Sequence, residues 1–307
     1  MLRRILLYLS HAGWARRIVT GWGLARRVAR RFVAGETLDE AIAVVHTLNQ
    51  KGMRASLDFL GESVTHEEDT REVVAMYRQI LARIHQESLD ASVSLKLTHF
   101  GLDISEELCQ ANLREVLSDA QQAGIPVTID MENTPYTDTT LRIYRTMRDE
   151  YGFTNVGTVI QSYLRRSEQD MQELAAEGAH IRLCKGAYLE PPEHAFPAKA
   201  DVDRSYVRIT EQYLAAPSPA YLCVASHDEN MIVAAENFAR DHNIPRDRYE
   251  FQMLYGIRTA RQEALAAEGY SMRVYVPFGA AWYPYFMRRL AERPANLWFF
   301  MRSMFRA

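Results

Sequence analysis

Residues 126–186 read PVTIDMENTPYTDTTLRIYRTMRDEYGFTNVGTVIQSYLRRSEQDMQELAAEGAHIRLCKG. Three short runs rich in apolar and β-branched residues, PVTIDME (126–132), VGTVIQS (156–162) and HIRLCKG (180–186), alternate with two longer charged stretches, DTTLRIYRTMRDEYG and SEQDMQELAAEG. Such a run, followed by an amphipathic segment that closes on Gly, is the pattern of a strand, a crossover helix and its C-cap. The rhythm extends both ways. ASLDFLG (55–61) and SVSLKLT (92–98) precede these runs, and YLCVASH (221–227), YEFQMLYG (249–256) and MRVYVPFG (272–279) follow them, which makes eight. Their starts lie 37, 34, 30, 24, 41, 28 and 23 residues apart. Each interval can hold one helix and its loops, as a right-handed parallel crossover requires. THEEDTREVVAMYRQILARIHQE, SEELCQANLREVLSDAQQAG, ENMIVAAENFARDHN and TARQEALAAEG supply further helices. Eight such units predict an α/β chain whose residues 35–307 form one (β/α)8 barrel of about the usual ~250 residues. A doubly wound open sheet is the alternative, but no GxGxxG follows the first run.

Composition narrows the function. A chain of 307 residues, 48% hydrophobic and 24% charged, is too long and too apolar for the disordered, collagen-like or disulfide-stapled classes. The net charge of −3 hides an asymmetry: residues 1–35 hold eight Arg and no acidic residue. The remaining chain therefore carries −11. An acidic body does not suit a nucleic-acid binder, which needs positive charge on its binding face. Residues 1–34, with Arg pairs between apolar residues and with Trp14 and Trp22, read as a basic amphipathic helical arm. Its apolar faces could pack on the barrel, or it could rest on an anionic membrane surface. The opening MLRRILLYLSHAGWA lacks a convincing cleavage site, and no run reaches the ~18 apolar residues of a membrane span. The reading is cytoplasmic, with contact at the inner face of the plasma membrane through the arm. Cys109, Cys184 and Cys223 show no ligand or disulfide spacing, so no metal is expected and each reads as a small buried hydrophobe.

In a barrel the chemistry gathers at the C-terminal ends of the strands. There the runs place Asp58 and Glu62, Lys96 and Thr98, Asp130 and Glu132, Gln161 and Tyr163, Arg182 and Lys185, Ser226 with His227 and Asp228, Gln252 and Tyr255, and Tyr275. Polar groups on otherwise apolar strands need partners to offset their desolvation, so one rim carrying this many reads as a site. After the last run, WYPYFMRRLAERP starts a helix that brings Tyr285, Arg288, Arg289 and Glu292 to roughly one face. An Arg pair there suits a carboxylate.

Read in order, LDFLGE, SLKLTHFGLD, IDMEN, VIQSYLRR, RLCKGAYLEP, SHD, YEFQMLYGIR, YVPFG and WYPYFMRRLAERPAN closely resemble the proline dehydrogenases, specifically the short monofunctional bacterial enzymes. The resemblance implies a barrel carrying noncovalent FAD that oxidises L-proline to Δ1-pyrroline-5-carboxylate by hydride transfer to flavin N5. Electrons would pass to membrane quinone, and the product to a separate pyrroline-5-carboxylate dehydrogenase. It implies that Arg288, Arg289 and Lys96 bind the proline carboxylate, with Glu292 orienting the Arg pair and Glu62 pairing with an Arg on closure. It makes Tyr275, Tyr285 and Leu254 walls for the pyrrolidine ring, and Asp130 and Arg182 catalytic, with Arg182 near the flavin. Met131, Gln161, Arg182, Lys185, Gly186, Ala187, Ser226 and His227 match positions that line FAD. The family usually reads Thr-His-Asp where this chain has Ser226-His227-Asp228, which keeps the hydroxyl. Two other classes compete on the residues alone: a Schiff-base lyase or aldolase using Lys96 or Lys185, and a noncatalytic membrane-surface adaptor built on the arm.

Overall fold

The computed structural model describes residues 29–61 and 64–292, apart from the side chains of Arg288, Leu290, Ala291 and Glu292. Eight parallel strands close on themselves in sequence order: β1 (Arg54–Phe59), β2 (Ala91–Leu95), β3 (Val127–Ile129), β4 (Val156–Gln161), β5 (His180–Cys184), β6 (Tyr221–Ala225), β7 (Tyr249–Leu254) and β8 (Met272–Phe278). Closure runs from Arg54↔Arg273 to Phe59↔Phe278. This is the barrel that the spacing predicts, and the open sheet is ruled out by the β1–β8 pairing.

The helices between strands are α2 (Glu67–Gln86), α3 (Glu106–Gln122), α4 (Thr137–Arg145), α5 (Ser167–Ala176), α6 (Lys199–Leu214), α7 (Glu229–Asp241) and α8 (Thr259–Ala267); α1 (Leu38–Gln50) precedes β1 and α9 (Trp282–Glu292) follows β8. Their starts are written in the sequence. Thr37 and Glu40 form a reciprocal capping box at α1, and Ser105 Oγ accepts from the Leu108 N–H at α3. Glu67, Glu68 and Asp69 open α2 while Arg83 and His85 lie in its last turn, each sign facing the end of the helix dipole that favours it.

The main core fills the space between sheet and helices with residues such as Leu57, Tyr77, Ile80, Leu113, Ile181, Tyr206 and Phe251, all fully or almost fully buried. A smaller cluster sits beside it, at the mouth. Ala29, Phe32 and Val33 pack there against Leu60, Ile257, Trp282, Tyr285 and Phe286. The Ala34 N–H donates to the Pro277 carbonyl at 2.8 Å, and Trp282 Nε1 donates to Glu36 at 3.2 Å. Gly256 (φ +72°) lies under the Arg31 carbonyl so closely that a Cβ would come within 1.6 Å of its oxygen, so only glycine fits. Residues 29–34 are thus clasped to the loop after β7 and to α9. Most of the arm lies outside the described residues. No helix among those described is long and apolar enough to cross a membrane.

Candidate active site

Alternation along a strand sends every second side chain into the barrel. On β5 that side chain is Arg182, 6% exposed, and all of its nitrogens are engaged. Nη1 donates to Asp130 Oδ1 at 2.6 Å, Nε to Gln252 Oε1 at 2.6 Å and Nη2 to Ser94 Oγ at 2.8 Å. Asp130 Oδ2 accepts from the Tyr275 hydroxyl at 2.8 Å, and the Arg182 guanidinium lies 5.2 Å from the centre of the Tyr275 ring. Burial and then the Asp130 carboxylate push the Tyr275 pKa far above the usual phenol value, so the hydroxyl stays protonated and donates. Lys96 stands beside this group, its Nζ 3.4 Å from Asp58 Oδ1 and 3.7 Å from Asp130 Oδ2. Burial works against its charge, but the carboxylates of Asp58 and Asp130 outweigh burial and hold its pKa above the lysine range.

The neighbouring strand ends build a second wall. Lys185 Nζ donates to Asp203 Oδ1 at 2.5 Å and to Asp228 Oδ2 at 2.7 Å, and Lys199 reaches the same two carboxylates. Burial opposes the Asp228 charge, yet Lys185 holds the carboxyl down to about 2. Asp228 also caps α7, its Oδ1 accepting from the Asn230 N–H at 3.2 Å. His227 Nε2 accepts from the Leu254 N–H at 2.9 Å, which leaves Nδ1 as the protonated nitrogen of a neutral ring. Gln161 Nε2 donates to the carbonyls of Met131 and Glu132 at 3.1 and 2.9 Å. Gly186 takes φ +109°, and a Cβ there would meet the Tyr163 ring at 2.3 Å.

Lys96, Asp130, Met131, Gln161, Arg182, Lys185, Gly186, Ala187, Ser226, His227, Leu254, Tyr275, Tyr285 and Arg289 all line one cavity of about 460 Å³ at the mouth, within the usual range of ligand pockets. The Arg289 guanidinium lies 5.2 Å from the centre of the Tyr285 ring. The side chains of Arg288 and Glu292, and Glu62 altogether, lie outside the described residues. A nucleophilic lysine needs its charge suppressed, whereas Lys96 has its charge reinforced and Lys185 is held between two carboxylates, so the Schiff-base reading loses its residue.

A proline dehydrogenase family model matches residues 41–302. Proline dehydrogenase 1 of Bacillus subtilis (strain 168) is 42% identical over 304 residues, covering 99% of each protein. The chain belongs to the proline dehydrogenase family. Proline dehydrogenase of Deinococcus radiodurans is likewise 42% identical, over 90% of each protein. Among solved structures, proline utilization A from Bdellovibrio bacteriovorus, inactivated by N-propargylglycine, superposes with a TM-score of 0.81 at 27% identity, covering 87% of this chain and 33% of that one. As a proline dehydrogenase the chain is an oxidoreductase, and the cavity just described is where its fold places chemistry.

Several residues that line or support this cavity are visible in sequence only as members of the rim. Asp58, Gln252 and Asp228 are the partners that fix Lys96, Arg182 and Lys185. Tyr255, also expected at the rim, instead lines a separate cleft with Arg31, Thr47 and Lys51. Ser94, Lys199 and Asp203 were not anticipated as site residues. The signal for Ser94 was its place two residues before Lys96 on one strand face. Cys109 and Cys223 are buried as expected, with burial pushing the Cys109 thiol up to about 12. Cys184 is only half-buried and faces the cavity, because it ends β5 at the mouth.

Proposed function

We propose that the chain oxidises L-proline to Δ1-pyrroline-5-carboxylate using noncovalent FAD and passes the electrons to membrane quinone. What carries the reading is the cavity's composition: a buried Arg182–Asp130–Tyr275 group beside Lys96, with Arg289 and Tyr285 lining the same space. The residues fit a flavin dinucleotide. Gln161 lines the cavity with a buried Oε1 that takes no hydrogen bond from the protein, an acceptor suited to a ring N–H. Lys185 and the Gly186 backbone suit phosphate or ribose, while Met131 and Leu254 are apolar surface for ring systems. Ser226 and His227 complete that wall, with Ala187. When bound, the flavin supplies the hydride acceptor.

The remaining work falls to side chains. Arg289 and Lys96, with Arg288 by its place on α9, anchor the substrate carboxylate, and a cation pair is strongest where water is excluded. Tyr275, Tyr285 and Leu254 flank the pyrrolidine ring. Proline loses a hydride from C5 and a proton from nitrogen, leaving C=N. Both Asp130 oxygens are already engaged, so Asp130 holds Arg182 and Tyr275 in place, and Arg182 supplies positive charge where the reduced cofactor gains negative charge. The imine product then leaves for a separate pyrroline-5-carboxylate dehydrogenase, and the basic arm is the segment we assign to the membrane surface. The test is an absorbance spectrum of the purified protein. A flavin band near ~450 nm that bleaches on adding proline is expected. A protein that stays colourless with added FAD would overturn the proposal.

A further inference from the structure

Below the cavity the barrel holds a second buried ion pair that the substrate and cofactor walls do not use. Glu250 on β7 is 1% exposed and Arg273 on β8 is 8% exposed. Arg273 Nε donates to Glu250 Oε1 at 2.7 Å and Nη2 to Oε2 at 3.1 Å, a two-point contact. Gln252 follows two residues later on the same strand face. Its Nε2 donates to Glu250 Oε1 at 2.6 Å, and its Oε1 accepts from Arg182 Nε at 2.6 Å. A carboxylate can only accept and a guanidinium can only donate, so one orientation of the amide satisfies both. The flipped amide would turn NH2 toward Arg182 and its carbonyl toward Glu250, losing both bonds. Asp130, the charged holder of Arg182, accepts whichever way it turns, whereas the neutral Gln252 amide can be reversed and needs its polarity set from outside.

We propose that Glu250 and Gln252 form a positioning relay for Arg182: Glu250, pinned by Arg273, locks the Gln252 amide so that its carbonyl fixes the guanidinium at the cavity. The relay rests on the assignment of Arg182 to the flavin made above. A cation fixed there favours the reduced, anionic cofactor, so the relay is read out in the flavin midpoint potential.

The experiment measures that potential in the FAD-loaded wild type, Gln252→Met, Glu250→Gln, Arg182→Met and the Gln252→Met/Arg182→Met double variant. Methionine nearly preserves the volume of glutamine. Gln252→Met is expected to weaken the preference for reduced flavin about tenfold, the scale of one hydrogen bond to a charged group, or about 30 mV for a two-electron couple. Glu250→Gln shifts it the same way by less, because a carboxamide at 250 lets the 252 amide flip. The double variant matches Arg182→Met, since without Arg182 there is nothing to position. Additive shifts would overturn the relay while leaving the cofactor assignment intact, and so would unchanged potentials in folded Gln252→Met and Glu250→Gln. An unmoved potential in Arg182→Met would overturn the assignment itself and the relay with it. If Gln252→Met fails to fold, the near-isosteric Glu250→Gln decides alone, and no shift there overturns the relay.

Discussion

Replacing Asp130 by Ala removes the acceptor on which three groups converge. Arg182 Nη1 and the Tyr275 hydroxyl lose bonds of 2.6 and 2.8 Å, and Lys96 loses one of its two nearby carboxylates. Arg182 is 6% exposed, so water is a poor substitute for the lost carboxylate. Removing one member of a buried ion pair costs about 3–5 kcal/mol, because the survivor remains buried and uncompensated. Loss of the positioned guanidinium and phenol, at roughly 1.5 kcal/mol or more for each bond, corresponds to a fall in kcat/KM of about a hundredfold or more. Asp130→Asn separates charge from hydrogen bonding. Its carbonyl can still accept from Arg182 while its amide faces Tyr275, which must then accept, so it should lie between wild type and Asp130→Ala in both properties. Denaturant unfolding of the flavin-loaded proteins gives the stability, and initial rates with proline and an artificial acceptor give kcat/KM. An Asp130→Ala protein with wild-type stability and kcat/KM within about threefold would refute the reasoning, for then the three contacts would carry no weight.

Further outcomes follow from the same geometry. Arg289→Met should raise KM for proline about a hundredfold with flavin content unchanged, as expected for a lost carboxylate contact; an unchanged KM in steady-state assays would remove Arg289 from the substrate site. Lys185→Ala leaves Asp203 and Asp228 with Lys199 alone, and FAD should then dissociate about tenfold more readily in a fluorescence titration, whereas equal affinity would deny Lys185 a part in cofactor binding. Acid stability should report Glu250. Burial opposes its charge, but Arg273 and Gln252 hold the folded pKa down to about 2 against 4.5 when unfolded. The folded state therefore binds fewer protons, so this stabilisation is complete above about pH 4.5 and is lost as pH falls toward 2, amounting to roughly 3 kcal/mol. Urea midpoints should fall less steeply between pH 5 and 3 in Glu250→Gln than in wild type, and parallel curves would contradict the buried pair.

Much of this architecture was legible because barrel strands impose period two. Ser92, Ser94 and Lys96 share one face, as do Glu250 with Gln252 and Arg273 with Tyr275. The last polar residues of each run mark the rim but not the floor. Glu250 and Arg273 sit near the starts of their runs, where a charge looks like a strand entering from solvent. Other elements were obscured by composition. The helix KADVDRSYVRITEQYL, α6, mixes β-branched and aromatic residues that favour strands, and its buried Tyr206, Ile209 and Tyr213 show that packing decided the outcome. Tyr163 reads as a rim donor, yet its ring is taken up beneath Gly186, a pairing set by a positive φ that spacing does not reveal. Lys199 and Asp203 lie outside every strand run, so only the fold brings Asp203 to Lys185 and Lys199 to the two carboxylates that Lys185 uses.

Asp228 shows how narrowly one position can be specified. Two demands meet on its carboxyl group: one oxygen opens α7 and the other answers Lys185. Serine or asparagine would keep the helix start and leave Lys185 with Asp203 as the remaining one of its two carboxylates, while glutamate would keep the charge on a chain ill-suited to the cap. A change at 228 therefore alters the helix start and the cavity wall together.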